Sequence, residues 1–169
     1  IGKVESIADI VATIKALKEK MGNNDTMLLV GFGYDADMLK EKRHPTSADL
    51  DAAFPTNPVI LKHASGHMLV ANGLAMKMAG ITAATKDPTG GAIIRKKGSQ
   101  EPEGLVQEMA MTPFFEMMSK PLPMEVEMKK LRDAQDYYAS CGVTTAAEHL
   151  AMAEKMVLLD TAAARGLFY

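Results

Sequence analysis

The sequence has little cysteine and almost no net charge, and it lacks long apolar runs. Its 169 residues include one cysteine, Cys141, which excludes an internal disulfide framework and fits a reducing compartment. The net charge of -2 gives no basic surface for nucleic acid. No apolar run approaches the roughly 20 residues that span a bilayer, and the opening residues, "IGKVESIADI", lack the features of a signal peptide. We therefore expect a cytoplasmic protein that binds neither nucleic acid nor a membrane.

The overall composition is that of an ordinary globular protein. Hydrophobic residues make up 47% and charged residues 24% of the chain, and the length allows one domain with a real core. The 14 methionines and the absence of tryptophan are best explained by methionine replacing leucine in the core. The chain starts without methionine and stops at "RGLFY", where an apolar strand has only begun. We therefore expect a fragment of a longer protein.

The first eighty residues alternate between helical and strand-like patterns. The segment "SIADIVATIKALKEKMG" predicts a helix capped by Ser6 and ended by Gly22, and "MLLVGFG" predicts a strand. "TSADLDAAF" predicts a second helix, since Thr46 and Asp49 have capping-box spacing. "VILKHA" predicts another strand, and a third helix is expected from Met68 to Gly80. This order predicts an α/β fold with neighbouring strands parallel.

The rest of the chain predicts a surface excursion followed by further helices and strands. Only "AIIRK" is strand-like within the turn-rich stretch "KDPTGGAIIRKKGSQEPEG", and "LVQEMAMTPFFEMMSK" has a helical pattern interrupted by Pro113. A helix opened by Pro123 follows, and then a strand "VTTAAE", a helix from His149 and the beginning of a strand at "LFY". The inward-facing residues expected on the helix after Pro123 are Val126, Leu131, Ala134 and Tyr138.

His63 and His67 are the leading candidates for a functional site. They are four residues apart, which would bring two imidazoles together on a helix, but a strand and a turn are predicted here. Packed or hydrogen-bonded histidines are therefore favoured over metal ligation by this pair. His67 follows a strand whose carboxyl end would face a ligand crevice, so it is a candidate for binding substrate or carrying a proton. Asn72, one turn further on, either positions His67 or faces solvent.

Acidic residues after the predicted strands leave several functions open. Glu148, which precedes His149 at the end of "GVTTAA", suits a ligand, a base or the N-terminal charge of a helix. Asp35 and Asp37 follow the glycine-containing strand with the same ambiguity. "GFGYDAD" lacks both the GxGxxG spacing and the Lys-Ser/Thr pair of a phosphate loop.

A set of ordered motifs resembles amidohydrolase family 3, the branch of the metal-dependent amidohydrolase superfamily that includes N-substituted formamide deformylases. The motifs span nearly the whole chain and comprise "GYD", the "PT..DLD...P..PV" run, "SGH....N..A", "DPTGGAIIRK", "EPEGLVQE" and "YASCGVTTAAE". The resemblance implies a segment of a (β/α)8, or TIM, barrel: an α/β insertion bordering the active site over residues 1–122 and a partial barrel over residues 123–169. Family members commonly carry Asp where this chain has Ser65.

The resemblance also implies hydrolysis of amide-type C–N bonds with one or two divalent metals, often zinc. The family's metal ligands would lie before Ile1 and beyond Tyr169, so we expect no catalytic residue, metal ligand or bound metal in this fragment, which should be inactive alone. His67, Asn72 and His63 are expected to border the pocket for a small-molecule substrate. Exposed barrel edges favour self-association.

Two alternatives remain from the sequence. One is a stand-alone small-molecule or protein binding domain without catalysis, and the other is a small metalloprotein that uses His63, His67 and Glu148.

Overall fold

Five strands form a mixed sheet at the centre of the first part of the chain. The computed structural model describes residues 4–119, 122–149 and 153–168, and the chain divides into two compact units, Ile1–Ser119 and Lys120–Tyr169. The sheet lies in the first unit, and its strands are β1 (Leu29–Tyr34), β2 (Val59–His63), β3 (Met68–Ala71), β4 (Gly91–Arg95) and β5 (Pro102–Glu108). Their spatial order is β1-β2-β3-β5-β4, with β1 parallel to β2 and every other neighbouring pair antiparallel.

Helices cover both faces of this sheet. They are α1 (Ile7–Lys20), α2 (Ser47–Asp51), α3 (Gly73–Met78) and α4 (Thr112–Met118), with 3-10 turns at Ala36–Met38 and Met109–Met111. Leu61 of β2 packs with α1 and α2 in one apolar cluster, whereas its neighbour Ile60 packs with α3 and α4 in another. Because successive strand residues point to opposite faces, the two clusters lie on opposite sides of the sheet.

The local predictions for α1, β1, α2, β2 and β4 are confirmed. Ser6 caps α1 by accepting a 3.1 Å hydrogen bond from the Asp9 amide, and Ile7, Ile10 and Ile14 form its buried stripe. Thr46 and Asp49 form the predicted capping box of α2. Each buried isoleucine of such a stripe contributes about 1.5–3 kcal/mol relative to an exposed position, so α1 is held chiefly by its packing against the sheet.

Two helical predictions in the first unit are wrong. Met68–Ala71 is a strand, and α3 begins only at Gly73. Leu69, Val70 and Ala71 are all fully buried because helices cover both faces of β3, so the strand lacks the alternation that would distinguish it from a helix. The segment from Leu105 to Glu108 likewise belongs to β5. The prediction of parallel neighbours therefore holds for β1 and β2 and fails for β2 and β3.

The second unit consists of two helices in its described residues. These are α5 (Met124–Ser140), which has Pro123 as its N-cap, and α6 (Ala153–Ala164). Residues 143–148, predicted as a strand, are not in one. Tyr169 and residues 150–152 lie outside the described part of the chain, and Leu167 and Phe168 are not in a strand. The barrel therefore stays a prediction.

The predicted inward face of α5 is largely wrong. Val126 is 41% and Tyr138 49% exposed, and Ala134 is also exposed, whereas Met128 is the buried residue of the helix. Apolar residues at helical spacing indicate a face that another element could cover. Within this unit α6 contacts α5 along only part of its length, so several of these residues stay exposed.

None of the helices described by the structure combines the length and apolar character needed to cross a bilayer.

Candidate functional site

Three ring side chains cluster where the parallel strands β1 and β2 end. Tyr34 is the last residue of β1, His63 is the last residue of β2, and His44 lies in the loop before α2. The Tyr34 and His63 ring centroids are 5.1 Å apart, and His44 lies 5.8 Å from Tyr34 and 5.5 Å from His63. The carboxyl ends of parallel strands are the usual place for a ligand crevice in α/β folds.

A bulge in β1 brings Tyr34 into this cluster. The register with β2 shifts between Phe32 and Tyr34, and Gly33 there has φ +95°, a backbone conformation that glycine adopts without steric cost. Without the extra residue, Tyr34 would point to the same face as Phe32, which is 70% exposed. With it, Tyr34 turns inward and is only 8% exposed.

Burial keeps two of these rings neutral near pH 7. It raises the pKa of Tyr34 well above its usual value and lowers the pKa of His44, which the neighbouring His63 lowers further. The Tyr34 hydroxyl lies 3.0 Å from His44 Nδ1. A phenol can donate or accept, so the direction of this hydrogen bond follows the tautomer of the His44 ring.

His63 has a hydrogen-bond pattern that fixes its tautomer. The Ser65 amide donates to His63 Nδ1 at 3.1 Å, so the proton of the neutral ring is on Nε2. That nitrogen lies 3.8 Å from an oxygen of Asp35. The Asp35 carboxylate accepts a hydrogen bond from the Asp37 amide at 2.9 Å and thereby caps the 3-10 turn that follows β1.

Ser65 connects His63 to His67. Its hydroxyl lies 2.9 Å from His63 Nδ1 and accepts a hydrogen bond from the His67 amide at 3.2 Å. His67 therefore lies in the turn between β2 and β3, and its predicted place directly before a helix is wrong. Its Nδ1 lies 3.0 Å from a carboxylate oxygen of Glu108, and both side chains are mostly exposed.

The location of Asn72 in the structure differs from the predicted one. The residue does not share a helix with His67, and it does not face solvent, because it is completely buried as the N-cap of α3. Its Oδ1 accepts from the amides of Val59 and Ala75, and its Nδ2 donates to the carbonyls of Phe54 and Asn57. These four bonds use the full capacity of the amide, so Asn72 has no hydrogen-bonding group left for a substrate, and it lies at the end of the β2–β3 pair opposite His63 and His67.

An apolar cleft of about 350 Å³ opens beside the ring cluster. Ile10 and Ile14 of α1 form part of its wall, and Tyr34 and Asp35 supply polar atoms. Gly31 also lines it, and a Cβ there would lie 2.9 Å from the Leu61 side chain. The absence of a side chain at this residue of β1 therefore helps to leave the cleft open.

Among the residues that the structure describes, no group of three or more His, Cys, Asp or Glu side chains is arranged to hold a metal ion. His63 Nδ1 is bonded to Ser65, and His67 Nδ1 is paired with Glu108. These contacts give no support to a small metalloprotein built on the two histidines. Glu148 and His149 are exposed residues of the second unit.

Sequence reasoning identified His63 and His67 but missed Tyr34, His44 and Glu108. The glycine at residue 33 in "GFGYD" was the available signal for Tyr34, since an isolated glycine in a strand marks a bulge. Nothing in the local pattern predicts that Glu108 meets His67, because 41 residues separate them. His44 lies directly before the proline of the α2 capping segment, which by itself indicates only a loop.

The sequence of the whole chain is similar to that of known proteins. A model of the amidohydrolase family (Amidohydro_3) matches residues 2–167. The chain is 35% identical over 135 residues to protein LONG AFTER FAR-RED 3 of Arabidopsis thaliana, covering 78% of this chain and 22% of that protein. It is 35% identical over 101 residues to the putative amidohydrolase YtcJ of Bacillus subtilis, covering 60% and 18%. With the N-substituted formamide deformylase of Arthrobacter pascens it shares 40% identity over 80 residues, covering 47% and 15%.

Two solved structures share the fold. They are uncharacterized metal-dependent hydrolases from Pyrococcus furiosus and Pyrococcus horikoshii, with TM-scores of 0.53 and 0.55 and identities of 22% and 19%. The match covers 98% of this chain in both cases, and 31% and 30% of those chains. The chain thus spans less than a third of the proteins that it matches. Because the family model extends over nearly all of its length, the chain belongs to the amidohydrolase family, in its family 3 branch.

Proposed function

We propose that this chain is a segment of a metal-dependent amidohydrolase that cleaves non-peptide, amide-type C–N bonds in a small molecule. The observation that carries the proposal is the hydrogen-bonded chain of His63, Ser65 and His67, which begins where the parallel strands β1 and β2 end. Asp35 lies beside it, 3.8 Å from His63 Nε2. The 40% identity with a protein named N-substituted formamide deformylase supports the choice of bond. A cytoplasmic location fits the exposed free cysteine, Cys141.

In this proposal the two histidines offer opposite hydrogen-bonding groups to a substrate. His63 carries its proton on Nε2, and His67 presents Nε2 as an acceptor because Nδ1 faces the Glu108 carboxylate. An amide has a carbonyl acceptor and, when its nitrogen carries hydrogen, a donor, so the pair is complementary to it. Asn72 contributes by joining the first residue of β2 to the start of α3. The divalent metal, for which we propose zinc, is held by residues outside this chain.

Hydrolysis assays of the full-length protein with a panel of N-substituted formamides and other amides test this function. We expect His67→Gln to lower kcat/KM by tenfold or more, as removal of a substrate-orienting group does. His63→Gln should have a smaller effect in the same direction. His149→Gln, at an exposed position of the second unit, is the matched control and should stay within twofold of the wild type. Full activity in His67→Gln would contradict the assignment.

The isolated chain is expected to be inactive toward the same amides. No metal-holding group exists among its described residues, and metal-dependent amide hydrolysis needs a bound ion to polarise the carbonyl and activate water. The assay uses the purified 169-residue chain with added zinc. Turnover that depends on zinc would show that the chain holds its own catalytic centre.

A stand-alone binding domain is the second candidate, and the apolar cleft beside Tyr34 favours it. Its volume of about 350 Å³ is within the range of small-molecule sites. Calorimetric titration of the isolated chain with small apolar amides would favour this function if binding is saturable and is lost in Gly31→Val. Saturable binding by the isolated chain, with no hydrolysis of the same amides by the full-length protein, would decide for it.

We also propose that the isolated chain self-associates through the edge strand β1. Val30 is 39% and Phe32 70% exposed on this strand, which is at one end of the described sheet. An exposed apolar edge is a template for pairing with another chain. Light scattering should show a dimer or larger species that Phe32→Lys reduces, and a monomer at high concentration would contradict it.

A further inference from the structure

Glu108 and His67 meet through two different contacts. Glu108 is the last residue of β5 and its amide donates to the His67 carbonyl at 3.0 Å, while its carboxylate oxygens lie 3.0 and 3.2 Å from His67 Nδ1. A carboxylate only accepts hydrogen bonds, so His67 carries its proton on Nδ1 when the ring is neutral. The backbone contact sets the distance between the two residues, and the side-chain contact sets the orientation of the ring.

The backbone of Glu108 is in a conformation that favours glycine. Its φ is 51° and its ψ is −125°, the combination found at the first central position of a type II′ turn, where glycine dominates. Asn23 also has positive φ, but it lies just after α1, where a left-handed residue is common. A glutamate at a position that suits glycine is strained, and strained residues concentrate at functional sites.

We infer that Glu108 is a positioning residue for His67 in the proposed hydrolase. Its carboxylate fixes the tautomer with the proton on Nδ1, which leaves the Nε2 lone pair of this exposed ring able to accept a hydrogen bond from an amide N–H or a water. Carboxylate partners orient functional imidazoles in this way in many sites. Glycine would satisfy the backbone at residue 108, but it would leave His67 free to rotate and to exchange tautomers. The inference rests on the proposed function.

The variant Glu108→Gly in the full-length protein shows whether Glu108 serves to stabilise the fold or to position His67. Because glycine relieves the strain, we expect the variant to unfold a few degrees higher than the wild type, while kcat/KM falls about tenfold. Glu108→Gln keeps an oxygen acceptor on an uncharged side chain, so it should retain more activity than Glu108→Gly. Asn23→Gly relieves a positive φ in the turn after α1 and should leave activity unchanged.

The tautomer of His67 gives a readout that does not depend on turnover. Ring-nitrogen NMR of the histidine-labelled full-length protein, with the His67 signal assigned by its loss in His67→Gln, should show the Nδ1–H form in the wild type. In Glu108→Gly, the Nε2–H form that predominates in free neutral histidine should appear. An unchanged tautomer, or full activity in Glu108→Gly, would overturn the inference, and so would a parallel loss of melting temperature and activity.

The same experiments distinguish a failure of the proposed function. If the wild-type full-length protein hydrolyses no amide, the hydrolase proposal fails. A higher melting temperature and a changed His67 tautomer in Glu108→Gly would then still support the positioning of His67 by Glu108.

Discussion

The Tyr34 hydroxyl lies 3.0 Å from His44 Nδ1, with the two rings at 90° to each other. The contact joins the end of β1 to the loop before α2. It therefore places the Tyr34 phenol and the His44 imidazole, both titratable, in one partly buried cluster. Since burial lowers the pKa of His44, the folded protein binds a proton at this ring more weakly than the unfolded chain does. This relationship makes the stability of the first unit depend on pH.

The first prediction concerns acid sensitivity. The stability contributed by neutral His44 is present above about pH 6.5, the ordinary histidine pKa, and is lost as the pH falls from there through the lower pKa of the folded state. His44→Gln keeps a polar partner for Tyr34 without a titrating ring, so its melting temperature should fall less than that of the wild type between about pH 7 and 5. Thermal denaturation measures this. His149→Gln should behave as the wild type, and equal slopes for His44→Gln and the wild type would contradict the prediction.

The second prediction concerns the buried amide of Asn72. Asn72→Ala leaves two backbone amides and two carbonyls without their partner in a fully buried position, and we expect a loss of about 3 kcal/mol or more in the free energy of unfolding. Ser6→Ala removes a helix cap at a half-buried position and should cost about 1 kcal/mol. Urea denaturation compares the two. Equal losses would mean that Asn72 is only a helix cap.

The third prediction concerns Ser65, whose hydroxyl contacts both the His63 ring and the His67 amide. A carboxylate introduced by Ser65→Asp, beside the position of the hydroxyl that lies 2.9 Å from His63 Nδ1, would accept a hydrogen bond from a protonated Nδ1, so the share of the Nδ1–H form of His63 should rise at the expense of the Nε2–H form. Ser65→Ala keeps the backbone donor to Nδ1 and should keep the wild-type form. Ring-nitrogen NMR measures both, and identical spectra would show that residue 65 does not set the tautomer.

Signals in the nearby sequence predict the helices that are fixed by residues close to them in the chain. The Ser6 cap, the isoleucine stripe of α1 and the Thr46–Asp49 capping box lie within a few residues of the structure that they specify. By contrast, β3 and β5 exist because they pair with each other and with distant strands. A short buried strand and a buried helix present the same apolar residues, so tertiary pairing decides between them.

The same limit applies to the candidate site. His63 and His67 were recognisable because they follow a strand, which is a property of the nearby sequence. Their partners come from elsewhere, since His44 and Glu108 are brought to them by the loop before α2 and by the β3–β5 pairing. Sequence periodicity indicates which residues end a strand, but the contacts among those ends depend on the completed sheet.

The last prediction tests how β5, which carries Glu108, reaches its place beside β3. A Cβ on Gly104 would lie 2.5 Å from the Ser47 amide nitrogen and 3.0 Å from the Ala71 carbonyl oxygen, and φ is +118° there. Because both neighbours are backbone atoms, they cannot move aside as a flexible side chain would. Gly104→Ala should therefore cost about 3–4 kcal/mol, as strain and overpacking add.

Gly98→Ala is the matched control for that variant. Gly98 also has positive φ, at +73°, but no heavy atom of the described residues lies within 4 Å of the place that a methyl group would take there, so only the backbone cost of about 1 kcal/mol applies. Urea denaturation gives the loss in the free energy of unfolding for both variants, and the difference between the two losses is the steric contribution at residue 104. If Gly104→Ala costs no more than Gly98→Ala, then β5 tolerates a shift away from α2. If it costs several-fold more, the close approach of β5 to the start of α2 fixes the strand that holds Glu108 against His67.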